Sequence, residues 1–185
     1  MTLPAHIAGG YLAIKLTHKL FLKSKISQTT SIKAAIIGAM LVDLDIFIYP
    51  LMKDHHDSLL HTPFFWLILY LISFVFNKFI LSQKLKVLSD ALFVGIMSHL
   101  FLDWFGARSA GIRIFYPFSN LRYSLFPLDP EKAAISIYSL PQLIEFGKFY
   151  GENKFLVSIE VTVILLALFI LIKQIISHAK SPNTT

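Results

Sequence analysis

Cysteine is absent from this sequence of 185 residues. Its absence excludes disulfide bonds, thiolate metal sites and cysteine nucleophiles. Charged residues are also scarce at 15%, whereas hydrophobic residues make up 55% of the chain and include 17 Phe. Because a soluble domain carries about 25% charged residues, this composition predicts a membrane protein. Any metal that it holds must be bound by His and carboxylate side chains.

The net charge of +6 comes from lysines and arginines, many of which lie in short segments between apolar runs. This placement is typical of a membrane protein oriented by its basic loops, and it argues against a nucleic-acid partner. The lysine-rich ends at residues 15–33, 78–86 and 173–180 are therefore predicted to lie on the cytoplasmic side.

The apolar runs predict an all-α fold, a polytopic membrane helical bundle that forms one domain over residues 1–185. It is predicted to have about four transmembrane helices and a short N-terminal helix, residues 3–22, that dips into the membrane. The predicted spans are residues 34–52, 63–81, 87–105 and 155–176. The motif-bearing part is residues 1–119, and a long loop rich in aromatics and proline covers residues 106–154, with a possible interfacial helix at 135–149.

The third predicted span contains His99 and Asp103 in an otherwise apolar run from Ala91 to Phe105. On a helix, positions i and i+4 are about 40° apart around the axis and ~6 Å apart along it, so both side chains lean to one face. Polar groups in an apolar segment need partners. A divalent cation held jointly by the imidazole and the carboxylate is one such partner.

Asp43 and Asp45 lie in the first predicted span. Two carboxylates two residues apart point about 200° apart on a regular helix, so a shared site requires a local break or a helix end. Pro50 makes such an end plausible. The alternative is that one aspartate is a ligand and the other caps the helix or faces water.

Threading the chain from the cytoplasmic side brings several His and Asp residues to the outer end of the bundle. The first span delivers a histidine-rich loop there, the third span returns His99 and Asp103, and the N-terminal helix places its early histidine on the same side. The predicted metal ligands are His6, Asp43, Asp45, His55, His56, His61, His99 and Asp103. Imidazole and carboxylate ligands favour Zn²⁺, Mn²⁺ or Fe²⁺ over Ca²⁺ and Mg²⁺.

With these residues assembled, the chain resembles the YdjM-like inner-membrane metal-dependent hydrolases. The resemblance consists of an early His6, an Asp-x-Asp at Asp43 and Asp45, a His-x-x-x-Asp at His99 and Asp103, and a later Gly111 with Pro-Phe-Ser at residues 117–119. One motif departs from the family: residues 55–62 read His-His-Asp-Ser-Leu-Leu-His-Thr, without the family's arginine. Either His55 or His56 takes its first position.

The resemblance implies an integral protein of the inner membrane that hydrolyses an ester or phosphoester, here of a lipid or another amphipathic substrate. Asp45, His61 and Asp103 are the predicted catalytic residues. The predicted cofactor is one or two divalent transition-metal ions, Zn²⁺ or Mn²⁺, because the ligands outnumber those of one tetrahedral ion. Arg108 and Arg113 are predicted to hold a substrate phosphate, although arginines beside a membrane also anchor lipid headgroups.

Two other functions fit the same residues. In a transporter or channel, intramembrane Asp and His would carry protons or metal ions, and polar residues would continue through the inner halves of the spans. In a structural membrane protein, the metal would only tie helices together, and its ligation would be closed.

Overall fold

The structure, a computed structural model, describes residues 1–21, 27–47, 55–79, 83–106, 111–126 and 140–180. In these ranges the regular elements are helical, which confirms the all-α class. The α-helices are α1 (Leu3–Phe21), α2 (Gln28–Leu41), α3 (Pro63–Phe79), α4 (Gln83–Phe105), α5 (Leu140–Glu152) and α6 (Lys154–Lys180). Short 3-10 helices, Val42–Phe47, His55–Asp57 and Leu59–His61, lie between α2 and α3.

Helices α1, α2 and α4 pack together at the centre of the fold, and small residues let them approach closely. Ala35 is fully buried. A Cβ added to Gly95 would lie 1.9 Å from the Ala35 carbonyl oxygen, and one added to Gly38 would lie 2.1 Å from that of Leu92. Such backbone contact between helices requires glycine at the crossing point. The crossing fixes the position of α4, and with it the positions of His99 and Asp103.

Two helices in the described part of the chain are long and apolar enough to cross a membrane, Lys84–Phe105 in α4 and Lys154–Ser177 in α6. This is fewer than the four spans predicted. The predicted span at 63–81 is the apolar helix α3, which at 17 residues is shorter than the usual length for a span.

The predicted span at residues 34–52 is wrong as a continuous helix. The α-helix ends at Leu41, and the chain continues as the 3-10 helix Val42–Phe47, which carries Asp43 and Asp45. A 3-10 helix has 3.0 residues per turn instead of 3.6, so it changes the directions in which the two carboxylates point. The break thus supplies the local distortion that a shared site needs.

The segment after α4 folds back against the end of that helix. Ile112 and Tyr123 form an antiparallel bridge, and the Leu125 amide donates to the Trp104 carbonyl at 2.8 Å. The predicted interfacial helix at 135–149 corresponds to α5, which begins at Leu140 and extends to Glu152. This part of the predicted long loop therefore contains regular structure.

Glu160 is the buried carboxylate of α6, with 1% of its surface exposed. Its Oε1 accepts from the Thr2 amide at 3.0 Å, and its Oε2 accepts from the Thr2 and Tyr150 hydroxyls, each at 2.5 Å. The Thr2 carbonyl in turn accepts from the His6 amide at 3.2 Å. Glu160 therefore fixes the start of α1, the helix that carries His6, against α5 and α6.

Candidate metal centre

Side chains from separate stretches of the chain meet where the N-terminal end of α1 and the C-terminal end of α4 come together. All but one of them are buried, and the exception, Asp43, has 28% of its side chain exposed. The residues are His6 of α1, Asp43 and Asp45 of the first 3-10 helix, His56 and His61 of the next two, and His99 and Asp103 of α4. Three overlapping groups of these residues place one ligand atom each within 4.8 Å of one another.

In four of these side chains, each of two His nitrogens lies close to each of two Asp oxygens. His99 Nε2 lies 3.0 Å from Asp103 Oδ2 and 3.6 Å from Asp43 Oδ1. His61 Nε2 lies 3.6 Å from Asp103 Oδ2 and 3.8 Å from Asp43 Oδ1. Ligands about 2.1 Å from a tetrahedral Zn²⁺ are about 3.4 Å apart. The four nitrogen–oxygen distances, 3.0 to 3.8 Å, are therefore close to those between the ligands of a four-coordinate ion.

The tautomer of His99 is fixed by a backbone contact. Its Nδ1 lies 2.6 Å from the Ala39 carbonyl oxygen. A carbonyl can only accept, so Nδ1 carries the proton and Nε2 carries the lone pair. The Nε2 atom of His99 is buried and makes no hydrogen bond, although it lies 3.0 Å from Asp103 Oδ2. A metal ligand typically shows this arrangement, with one ring nitrogen bonded to a carbonyl and the other directed at the ion.

His61 is oriented in a similar way, by a carboxylate. Its Nδ1 lies 2.7 Å from Asp45 Oδ2, which also accepts from the Ser58 hydroxyl. The imidazole thus has Asp45 on its Nδ1 side and Asp43 on its Nε2 side. A carboxylate that receives the Nδ1 proton fixes the ring and increases the basicity of Nε2. This contact makes Asp45 an orienting residue for His61, although its second oxygen, Oδ1, is buried without a hydrogen bond.

Asp103 joins this group to a second one. Its Oδ1 lies 3.3 Å from His6 Nε2 and 2.8 Å from the Met1 amino nitrogen. Its Oδ2 also lies 3.9 Å from His56 Nε2. The rings of His6 and His99 stack with their centroids 3.6 Å apart. The two oxygens of Asp103 are thus directed at different histidines. If two ions were bound, Asp103 would offer one oxygen to each of them.

The residues fit a divalent transition metal on structural grounds. The buried nitrogen of His99 without a hydrogen bond, the ligand spacings and the Nδ1 contacts of His61 and His99 all agree with imidazole ligation. Burial lowers the pKa of His6 to about 3, although Asp103 opposes this shift. At pH 7 the His6 ring is therefore neutral, which is the form that binds metal.

The pKa of His61 moves the other way. Burial alone would lower the pKa, but the hydrogen bond to Asp45 and the charge of Asp103 raise it above the ordinary value. A proton and a metal ion therefore compete for this ring. Because the folded-state pKa is raised, this ring takes up its proton at a higher pH than a free imidazole does, and metal retention weakens as the pH falls.

Arg113 lies beside this site and not in it. Its Nε is 3.6 Å from Oδ1 of Asp57, the residue after His56. Its guanidinium lies over the Tyr116 ring, 4.7 Å from the centroid. Arg122 contacts the other oxygen of Asp57 at 2.5 Å. The predicted Arg108 and the side chain of His55 lie outside the described residues.

Arg122 and Ser58 are absent from the predicted site residues, although the structure places both beside the site. Arg122 reaches Asp57 only because the bridge between Ile112 and Tyr123 turns the chain back on itself. Ser58 carried a weak signal, since it is a small hydroxyl side chain within the histidine-rich segment and its hydroxyl contacts Asp45. Both residues support the site from outside the predicted ligand set.

Asp45→Asn is expected to weaken metal binding by 10- to 100-fold, the usual effect of losing a partner that orients a ligand histidine. The amide cannot accept the His61 Nδ1 proton with a full negative charge, and the ring loses both orientation and basicity. The measurement is a competition titration of metal against a chelator. Asp90→Asn is the control, because Asp90 accepts from Tyr70 between α3 and α4. Equal affinities in the two variants would show that Asp45 does not support the site.

The comparisons with known proteins agree with a membrane protein. No curated protein and no solved structure matches the chain. The family model described as YdjM inner membrane protein matches residues 1–179, nearly the whole chain. The chain belongs to the YdjM inner membrane protein family.

Proposed function

We propose that this protein is a membrane-bound, metal-dependent hydrolase that cleaves an ester or phosphoester bond of a lipid-like substrate. The observation that carries the proposal is the group of His61, His99, Asp43 and Asp103, whose His nitrogens lie 3.0 to 3.8 Å from its Asp oxygens. His6 Nε2 lies 3.3 Å from Asp103 Oδ1 and His56 Nε2 lies 3.9 Å from Asp103 Oδ2, so each adds a candidate ligand beside this group. Zn²⁺ and Mn²⁺ suit this ligand set best.

A bound Zn²⁺ or Mn²⁺ supplies an acidified water and polarises the bond under attack. The residues of the chain prepare the site for that chemistry. His61 Nδ1 donates a hydrogen bond to Asp45 Oδ2, and His99 Nδ1 donates one to the Ala39 carbonyl. Both Nε2 atoms therefore stay available as ligands. Asp103 fixes the relative positions of His6 and His99, because its Oδ1 contacts His6 and its Oδ2 contacts His99.

Asp43 supports a catalytic role over a purely structural one. Its side chain is 28% exposed, whereas those of His6, His61, His99 and Asp103 are at most 1% exposed. Structural metal sites are closed, and catalytic sites keep an open position for water or substrate. The opening beside Asp43 is where we expect the scissile bond to approach.

The adjacent arginines provide a place for a phosphate. Arg113 Nε is buried and makes no hydrogen bond, since its separation from Asp57 Oδ1 is 3.6 Å. A guanidinium has five donors in a planar fork that matches phosphate oxygens. A substrate phosphate near Arg113 would satisfy this donor, which favours a phosphoester over a carboxylic ester.

The packing below the site argues against a transport path. Ile14, Ala34, Ala35, Val87 and Ala91 form a buried apolar cluster between α1, α2 and α4. These residues lie toward the lysine-bearing ends of the helices. In the described part of the chain the polar cluster thus ends on an apolar layer. An ion pathway would require polar groups through that layer.

The site is proposed to face the outer side of the inner membrane. Lys15 near the end of α1, Lys84 and Lys86 at the start of α4, and Lys173 near the end of α6 lie at helix ends remote from the site. Basic residues accumulate on the cytoplasmic side of membrane proteins. The His and Asp cluster at the opposite end of α1 and α4 then faces outward.

An assay of purified protein on defined phospholipids and generic phosphodiesters tests the function. The protein is loaded with Zn²⁺ or Mn²⁺ or treated with a chelator, and product release is measured. We expect turnover that requires the metal and is lost in Asp103→Asn. If protein with measured bound metal releases no product from any phospholipid or phosphodiester, the hydrolase proposal is wrong.

A further inference from the structure

A cavity of about 300 Å³ lies between α3 and α4, outside the metal centre. On α3 its walls are Trp66, Leu69, Tyr70 and Ser73, which have the i, i+3, i+4, i+7 spacing of one helix face. Leu69 lines the cavity and is still 42% exposed. The cavity therefore opens onto the outer surface of the helix pair, which a membrane would cover with lipid chains.

The wall on α4 leads directly to the metal ligands. Leu92 and Ile96 line the cavity, and His99 and Asp103 follow at the same helical spacing, i, i+4, i+7 and i+11. The step from Ile96 to His99 along the axis is about 4.5 Å. The cavity and the metal centre are thus neighbouring parts of one face of α4.

The two ends of the cavity differ. At the end near the metal centre, Trp66 donates from Nε1 to the Leu60 carbonyl at 2.6 Å, next to His61. At the far end, the Ser73 and Ser89 hydroxyls are 2.8 Å apart and connect the two helices. The serine pair closes one end, so an elongated guest would extend from Ile96, beside the metal centre, toward Ser89, over about 10 Å of helix.

The lining excludes a charged guest. None of the residues that line the cavity is charged, and the nearby carboxylate of Asp90 is hydrogen-bonded to Tyr70 at 3.0 Å. A volume of 300 Å³ is at the lower limit of ligand pockets and suits one flexible chain. The apolar walls, the lateral opening and the closed end together fit a hydrocarbon chain whose polar end lies at the metal centre.

We propose that this cavity binds one acyl chain of a membrane lipid, and that this chain is part of the substrate that the metal centre cleaves. The second half of the proposal rests on the proposed function. The first half concerns binding alone and is tested without turnover. It makes the substrate an acyl-chain phospholipid in place of a water-soluble phosphoester.

Quenching of Trp66 fluorescence by phospholipids brominated on the acyl chain tests the binding. The sequence has two tryptophans, so Trp104→Phe leaves Trp66 as the probe. In vesicles with increasing fractions of brominated lipid, a specific site gives quenching that saturates at a low fraction. We expect Ser89→Leu, which fills the far end, to reduce this saturable quenching at least threefold.

Ser158→Leu is the matched control, since it makes the same change at an exposed position of α6. It is expected to leave the quenching curve unchanged. Ser73→Leu fills the cavity from the opposite wall and replaces Ser89→Leu if circular dichroism shows that variant to be unfolded. Quenching that rises linearly with brominated lipid and is the same in all variants would show ordinary surrounding lipid only, and would overturn the proposal.

Turnover separates this proposal from the proposed function. Saturable quenching in a protein that hydrolyses nothing would support the chain site and contradict the hydrolase. Hydrolysis with linear quenching would support the hydrolase and contradict the chain site. If both hold, Ser89→Leu should lower kcat/KM for long-chain phospholipids at least tenfold, and Ser158→Leu should leave it within twofold of the unmodified protein.

Discussion

Replacing His99 with alanine is expected to abolish metal retention, reducing one or two equivalents in the purified protein to a trace. His99 Nε2 lies 3.0 Å from Asp103 Oδ2 and 3.6 Å from Asp43 Oδ1, and its Nδ1 donates a hydrogen bond to the Ala39 carbonyl. Losing an outer partner of a ligand already costs 10- to 100-fold in affinity. Losing the ligand itself should cost more than 100-fold, and turnover should fall to that of metal-free protein.

Elemental analysis and thermal unfolding measure this effect independently. An ion present at 100 times its Kd stabilises the folded protein by about 2.7 kcal/mol. A chelator should therefore lower the Tm of the unmodified protein and leave that of His99→Ala unchanged. Ser98→Ala is the neighbouring control, because its hydroxyl donates to the Gly95 carbonyl within α4. Full metal content in His99→Ala would show that His99 is not a ligand of the bound ion.

The meeting of these residues at one end of the bundle could be predicted from the order of apolar segments. Basic segments at the far ends place His6, the two aspartates of the 3-10 helix, the loop histidines and His99 on one side. The structure places the described side chains of this set together, and His6, His56, His61 and His99 lie within 4 Å of Asp103. Their roles as ligands and catalytic residues stay predictions, because proximity alone assigns no chemistry.

The way in which Asp43 and Asp45 share the site could not be predicted. Helical periodicity places them on opposite faces, and only the start of the 3-10 helix at Val42 shows how the conflict is resolved. The two carboxylates lie on the two nitrogens of one ring, that of His61. This arrangement is set by tertiary structure and not by local sequence. It depends on where the segment after Ser58 meets the chain that follows the end of α2.

The count of spans was overestimated for the same reason. Apolar length alone made residues 34–52 a span, although the carboxylates within it needed partners that a straight helix does not provide. Burying an unpaired carboxylate costs far more than ending a helix one or two turns early. The chain pairs Asp45 Oδ2 with His61 and Ser58 and ends the regular helix at Leu41.

Gly95→Ala is expected to destabilise the protein by about 1–3 kcal/mol, the usual cost of overpacking a core, or more. The added Cβ would lie 1.9 Å from the Ala35 carbonyl oxygen, an atom of the backbone that no side-chain rotation can move. The helices must therefore separate. Because the Ala39 carbonyl of α2 holds the His99 ring of α4, the same separation should weaken metal binding.

Gly147→Ala provides the matched comparison within a helix. Gly147 lies in α5, and a Cβ added there would meet nothing within 4 Å. Alanine in place of glycine inside a helix stabilises by about 0.5–1 kcal/mol, so the two identical substitutions should change the Tm in opposite directions. Metal affinity should fall only in Gly95→Ala. If the two variants were equally stable, α2 and α4 would not be in backbone contact, and the fixed position of His99 would need another explanation.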